Sequence, residues 1–219
     1  MKRESSHIAV VVSVASVLSC GLLQSNAAVI FSESLGTVSG TTTIASHEVA
    51  DGFDNDAFTF SGTADLRATT ASTGYAGASG SANVYLTTSG SPRFTIAGVS
   101  TLGFTVGSVD VSFGAYKNSV ASDMTTLVLE YGTDGSGWTA LGVPAQPTGT
   151  GTTGWRLISL SDTSIPITST LFLRWTSSDT STQFRIDDVT LSGTAVPETS
   201  AAVLGSLGLL GLLRRRRSN

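Results

Sequence analysis

Apolar residues recur at every second position in short runs through the middle of this chain. Phe58 and Phe60 flank Thr59, Val84 and Leu86 flank Tyr85, and Phe94 and Ile96 flank Thr95. Leu102, Phe104 and Val106 share one face, as do Val109, Val111 and Phe113, with Asp110 and Ser112 opposite. Leu127, Leu129 and Tyr131 form a further run, and Leu171, Leu173 and Trp175 another. A period of two is the mark of a strand with one buried face. Between the runs lie turn formers such as Ser89-Gly90-Ser91-Pro92 and Asp134-Gly135-Ser136-Gly137, and no stretch sustains a helical period. Short strands at close, fairly even spacing predict an all-β, antiparallel β-sandwich. A jelly roll of eight or more strands suits the length. The Ala, Thr, Ser and Gly-rich segment 68–82 reads as a long exposed loop, and 144–154 as a second.

One run breaks its own parity. Phe184 and Ile186 fall on even positions and Val189 and Leu191 on odd ones. A strand changes parity only by inserting a residue, so Asp187-Asp188 is predicted to sit at a β-bulge. Upstream, Asp51-Gly52-Phe53-Asp54-Asn55-Asp56 forms an acidic cluster. It fails the EF-hand pattern, because Phe58 stands where the third ligand of a loop starting at Asp54 belongs. Two readings stay open for these acids. Asp54 or Asp56 with Asp187 or Asp188 would make a structural Ca²⁺ site, a hard cation that takes oxygen ligands; alternatively, they are solvated turn carboxylates.

The chemistry available to the middle of the chain is narrow. It has one histidine, His47, and no cysteine, since Cys20 lies in the N-terminal segment. Cys/His zinc sites and a cysteine nucleophile are excluded. No serine stands in a Gly-x-Ser-x-Gly elbow, and His47 reads as a surface or turn residue. Paired carboxylates for glycoside hydrolysis are not selected by any sequence signal. No catalytic residue is assigned, and the protein is expected to be non-enzymatic. Trp175 aligns with Leu171 and Leu173 and is expected in the core. Trp138 and Trp155 lie beside loops and are the candidates for stacking against a sugar ring, with rim packing as the alternative.

Charge separates the middle of the chain from its ends. Six of the 12 Lys and Arg sit in the end segments, but only two of the 16 acids do. Residues 28–195 therefore carry six cations against 14 anions, a net charge of −8. Such a domain is a poor partner for nucleic acid.

The ends read as export signals. Lys2 and Arg3 precede an apolar run from Ile8 to Leu18, and Ser25-Asn26-Ala27 supplies small residues for a signal peptidase. A signal peptide over 1–27, cleaved after Ala27, is expected. Val17-Leu18-Ser19-Cys20-Gly21 loosely resembles a lipobox, which would instead lipidate Cys20. At the other end stand Val196-Pro197-Glu198-Thr199, an uncharged segment, and then Arg214, Arg215, Arg216 and Arg217. As a helix, residues 200–213 would be about 21 Å long, short of a hydrocarbon core of about 30 Å. The arginines act as a stop-transfer cluster and stay on the cytoplasmic side.

This order of Pro-Glu motif, short Gly/Leu-rich helix and terminal Arg cluster over residues 196–219 resembles the PEP-CTERM sorting signal of Gram-negative bacteria. The family usually has a second proline where this chain has Thr199. Leu129-Glu130-Tyr131-Gly132-Thr133-Asp134-Gly135 with Trp138, and Phe184-Arg185-Ile186-Asp187-Asp188-Val189, are similar to segments of secreted jelly-roll domains found in such proteins. The resemblance implies three parts: signal peptide, a β-sandwich over 28–195, and a sorting tail with a transmembrane helix. It implies an exosortase and a signal peptidase as partners and transient residence in the inner membrane. The destination would be the cell surface or the extracellular matrix, in association with exopolysaccharide. A carbohydrate-binding module is the alternative function, and a secreted hydrolase a more remote one.

Overall fold

The computed structural model describes residues 27–161 and 164–196. The signal peptide up to Asn26, with Cys20, and the tail from Pro197 onward lie outside the described residues, so the expectations placed on them are neither met nor refused by the fold.

Among the described residues there are twelve strands and one helix. They run β1 (Ala27–Glu33), β2 (Thr41–Thr43), α1 (Ile44–Val49), β3 (Thr59–Gly62), β4 (Asp65–Arg67), β5 (Asn83–Leu86) and β6 (Arg93–Val99). Then follow β7 (Asp110–Lys117), β8 (Leu127–Gly132), β9 (Thr139–Gly142), β10 (Gly154–Ser161), β11 (Leu171–Ser177) and β12 (Phe184–Thr194). They form two antiparallel sheets. One has the order β10-β7-β12-β5-β4-β2, with β1 also on β12, and the other the order β3-β6-β11-β8-β9. From β5 onward the chain crosses between sheets at almost every connection, so each layer is filled by strands distant in sequence.

The core lies between the layers and follows the period-two pattern. Val84 and Leu86, Val111 and Phe113, and Phe184, Ile186 and Leu191 point inward from the seven-stranded sheet. Phe94, Ile96, Leu127, Leu129, Leu171, Leu173 and Trp175 meet them from the other. Trp175 is fully buried, stacked on Phe94 at 5.7 Å and edge-on to Phe113 at 5.5 Å. Such aromatic contacts add to the area each ring buries.

The parity break resolves as expected. The pairing of β12 with β7 shifts between Asp187 and Thr190, and Asp188 takes φ 50°. The left-handed backbone at Asp188 lets the strand resume with Val189 and Leu191 inward.

Two expectations are corrected. Leu102 and Val106 are 57% and 77% exposed, and residues 102–106 form turns instead of a strand, with only Phe104 bridging to Ala195. Two glycines, Gly103 and Gly107, both at positive φ, break the run. His47 is not a surface residue: it is buried on α1, its Nε2 3.2 Å from the Leu35 carbonyl and its ring edge-on to Phe53. α1 itself starts where the Thr43 hydroxyl accepts from the Ser46 amide, an N-cap.

Segment 68–82 is the expected loop, mostly exposed, and it is pinned across the outer face of the seven-stranded sheet. The Trp155 indole donates to the Thr70 carbonyl, Arg185 Nη1 to the Thr69 carbonyl at 2.7 Å, and the Tyr75 hydroxyl to Asp188. Gly114 on β7 lies directly beneath that hydroxyl, where any Cβ would overlap it.

Candidate functional site

The outer face of the five-stranded sheet carries an open groove of about 290 Å³. Its floor follows from the strand register. Facing outward, Thr95 on β6 stands between Ser61 on β3 and Arg174 on β11, and Ala97 stands beside Phe172. Arg93 begins β6 at the open end, opposite Thr176. The far wall is the β8–β9 hairpin. There Asp134 Oδ1 accepts from the amides of Ser136 (2.9 Å) and Gly137 (3.0 Å), which closes the turn and sets Trp138 over the sheet. The donors of Gly137 and Ser136 hold the Asp134 carboxyl below its ordinary range. Gly135, at φ 73°, packs its backbone close to the Phe172 ring.

Trp138 is fixed from two sides. The Arg174 guanidinium lies 3.9 Å from its ring centroid, and Phe172 meets it edge-on at 6.4 Å. Arg174 is itself held by Glu130, with Nε and Nη2 each 2.7 Å from Oε2. The lining thus offers two aromatic rings, two guanidinium forks and the hydroxyls of Ser61 and Thr95, and it includes no carboxylate.

Trp155, the other stacking candidate, is on the opposite sheet. It projects from the edge strand β10 with its indole bonded to Thr70 and its ring near Tyr116 (5.7 Å) and Tyr75 (6.5 Å). It anchors segment 68–82, and no single ligand could lie on both tryptophans. Farther across the same face, on β5, Tyr85 has Arg67 (3.6 Å) and Arg185 (4.9 Å) over its ring and is 6% exposed. This face is closed by its own loop.

Of the four acids suggested for calcium, Asp187 lies within electrostatic reach of both Asp188 and Asp54, but each is engaged or placed differently. Asp56 is exposed beside a small hollow that also includes Glu48, Asp51 and Asn55. Asp54 accepts from the Ser34 amide at 2.8 Å and from its hydroxyl. Asp188 accepts from Tyr75 and from the Ser79 amide. Asp187 is wholly buried. Among the described residues no group of three or more His, Cys, Asp or Glu is arranged to hold a metal ion.

Two carboxyls nevertheless stand out. Burial, reinforced by the charge of Asp188, pushes Asp187 up to about 7, against the pull of the Ser72 hydroxyl. Its Oδ1 accepts from the Asp188 amide, and its Oδ2 has no hydrogen-bond partner. Glu33, which the sequence reading did not single out, is 1% exposed and is likewise pushed up to about 7 by burial. Its Oε1 accepts from the amides of Leu35 and Asp54, while Oε2 is unpartnered. The one signal was its place in Phe31-Ser32-Glu33, where alternation turns Glu33 inward with Phe31.

No protein-family model matches the chain, and no curated protein matches it. Among solved structures, the chain is similar to the CBM22-1 xylan-binding domain from Paenibacillus barcinonensis Xyn10C. The identity is 16%, over 78% of this chain and 97% of that one, at a TM-score of 0.41. It is also similar to TmCBM61 in complex with β-1,4-galactotriose, at 16% identity over 61% of this chain and 86% of that one, TM-score 0.38. A third is a structure described as "CBM4 structure and function", at 15% identity over 63% and 78%, TM-score 0.36. Similarity at this level leaves the site to be read from its own residues.

Proposed function

We propose that the protein is exported and that its sandwich, of jelly-roll type, binds polysaccharide in the groove of the five-stranded sheet. The observation that supports this reading is the pairing in one open groove of Trp138 and Phe172 with Arg93, Arg174, Ser61 and Thr95. A pyranose ring has an apolar face of C–H bonds and a rim of hydroxyls. The first suits an aromatic surface, and the second suits fixed side-chain donors and acceptors. A groove whose lining comes from β3, β6, β11 and the β8–β9 hairpin suits a chain more than an isolated sugar. This reading takes the carbohydrate-binding alternative as the molecular activity, and the surface or matrix role as its setting.

Affinity electrophoresis of the full-length protein through gels containing soluble polysaccharides tests it. Trp138→Ala is expected to lose retardation and Trp155→Ala to keep it. Equal migration of the wild type in every gel and in the blank would remove the reading.

The route outward is proposed on the sequence alone: a signal peptide over 1–27, and an exosortase acting at Val196-Pro197-Glu198-Thr199 while Arg214 to Arg217 hold the tail. Replacing the four arginines with asparagine and following the protein in cell fractions tests this. Unchanged release would argue against a sorting tail.

A further inference from the structure

We infer that the groove is selective for acidic polysaccharide, with Arg93 as the residue that receives the sugar carboxylate. The inference rests on the polysaccharide reading above and adds the chemical class of the ligand.

Five of the six cationic side chains of the sandwich are already engaged. Arg67 pairs with Asp65 at 3.4 Å and lies over Tyr85. Lys117 is buried and donates to the carbonyls of Ser122 and Pro147. Arg156 donates to Gln146 and the Thr152 carbonyl, Arg185 to Thr69 and Asn83, and Arg174 to Glu130. Arg93 is the exception among the described residues. Its guanidinium is exposed and makes no ion pair, side-chain hydrogen bond or ring contact, and it lines the groove. Arginine commonly finds a carboxylate in a protein with an excess of acids, and its planar fork matches one in a bidentate way. Here the excess is large, yet no acid lines the groove.

The net charge of −8 does not prevent this. The Debye length is about 8 Å at physiological ionic strength, so a bound chain responds to the groove's own groups more than to carboxylates around the rim of the molecule. From beside the groove Glu130 neutralises Arg174, and within it Arg93 leaves one unbalanced positive charge. A uronate carboxylate is borne outside the sugar ring, so a chain laid on Trp138 and Phe172 can turn that group toward the β6 end without losing ring contact. A neutral chain offers Arg93 hydroxyl acceptors but no charge to pair with.

The probe pair is polygalacturonate and its fully methyl-esterified form, which share a backbone and differ in charge. Binding of the full-length protein is measured by affinity electrophoresis at low salt and again at about 0.5 M NaCl. The free acid is expected to bind about fivefold tighter than the ester, a preference that salt reduces. Arg93→Gln is expected to abolish the preference for the free acid and leave the melting curve unchanged. Trp138→Ala should weaken both. An ester that binds as well as the acid, or a preference that survives Arg93→Gln, overturns the inference while leaving the polysaccharide reading in place. Retention by neutral polymers such as xylan alone overturns it in the same way. If no polymer of either kind retards the protein, the polysaccharide reading falls and takes this one with it.

Discussion

Removing the charge from Asp187 should make the protein more stable at alkaline pH. In the folded chain this carboxyl holds its proton up to about 7, against an ordinary value of 3.8. Folding therefore takes up a proton between those two values. The stability is fully present below the lower value, declines through the interval, and is lost above the upper one. Each pH unit of difference is worth about 1.4 kcal/mol per group, so the upper bound is about 4 kcal/mol at pH 8. Asparagine keeps an acceptor for the Asp188 amide but must place an NH₂ where Oδ2 now has no partner, which returns part of that gain. A net stabilisation of about 2 kcal/mol remains. For a domain of this size it corresponds to roughly 4–8 °C in melting temperature. Thermal melts of wild type and Asp187→Asn at pH 4, 6 and 8, in the presence of a chelator, measure it. The difference should be largest at pH 8 and vanish or reverse at pH 4. A variant less stable than wild type at pH 8 in chelator would refute the reasoning.

Gly114→Ala should expel the Tyr75 hydroxyl from its place above β7, at a cost of about 1–3 kcal/mol. Limited proteolysis would then cut within 68–82 faster than in wild type, and an unchanged rate would contradict the pinned loop. Asp134→Ala should free the β8–β9 turn and weaken glycan retention several-fold with little change in melting temperature. Retention equal to wild type would show that Trp138 needs no help from that turn. Trp175→Ala should cost about 3–5 kcal/mol, as expected for a large ring removed from a packed core, which denaturant unfolding would record.

The strands were legible because alternation is a local property. Phe184 to Leu191 even disclosed its bulge, since a parity change has one structural remedy. Leu102, Phe104 and Val106 show the limit of the same rule. The pattern is right, but Gly103 and Gly107 turn the backbone at positive φ, so apolar residues end up facing water. Segment 68–82 shows a different limit. Its composition describes a loop correctly but says nothing of what the loop lies on. The contacts that hold it, from Thr69, Thr70 and Tyr75 to Arg185, Trp155 and Asp188, join residues 85 to 116 positions apart. The same distance hid the groove. Trp138 was found by its place beside a turn. Its companions Phe172, Arg174 and Arg93 become neighbours only when β11 is inserted between β6 and β8.

The pairing of the first strand with the last has a mechanical meaning. Ala27 lies opposite Thr194, and Val196 is tied to the Gly103 carbonyl at 2.8 Å, so the chain enters and leaves the sandwich at one corner. A pull on the C-terminal end acts along the axis of β12. That strand is bonded on one side to β7 and on the other to β1 and β5. Its hydrogen bonds would have to shear together instead of parting one after another. A sandwich suspended by that end would transmit tension through its most heavily bonded strand and resist extraction by flow or drag.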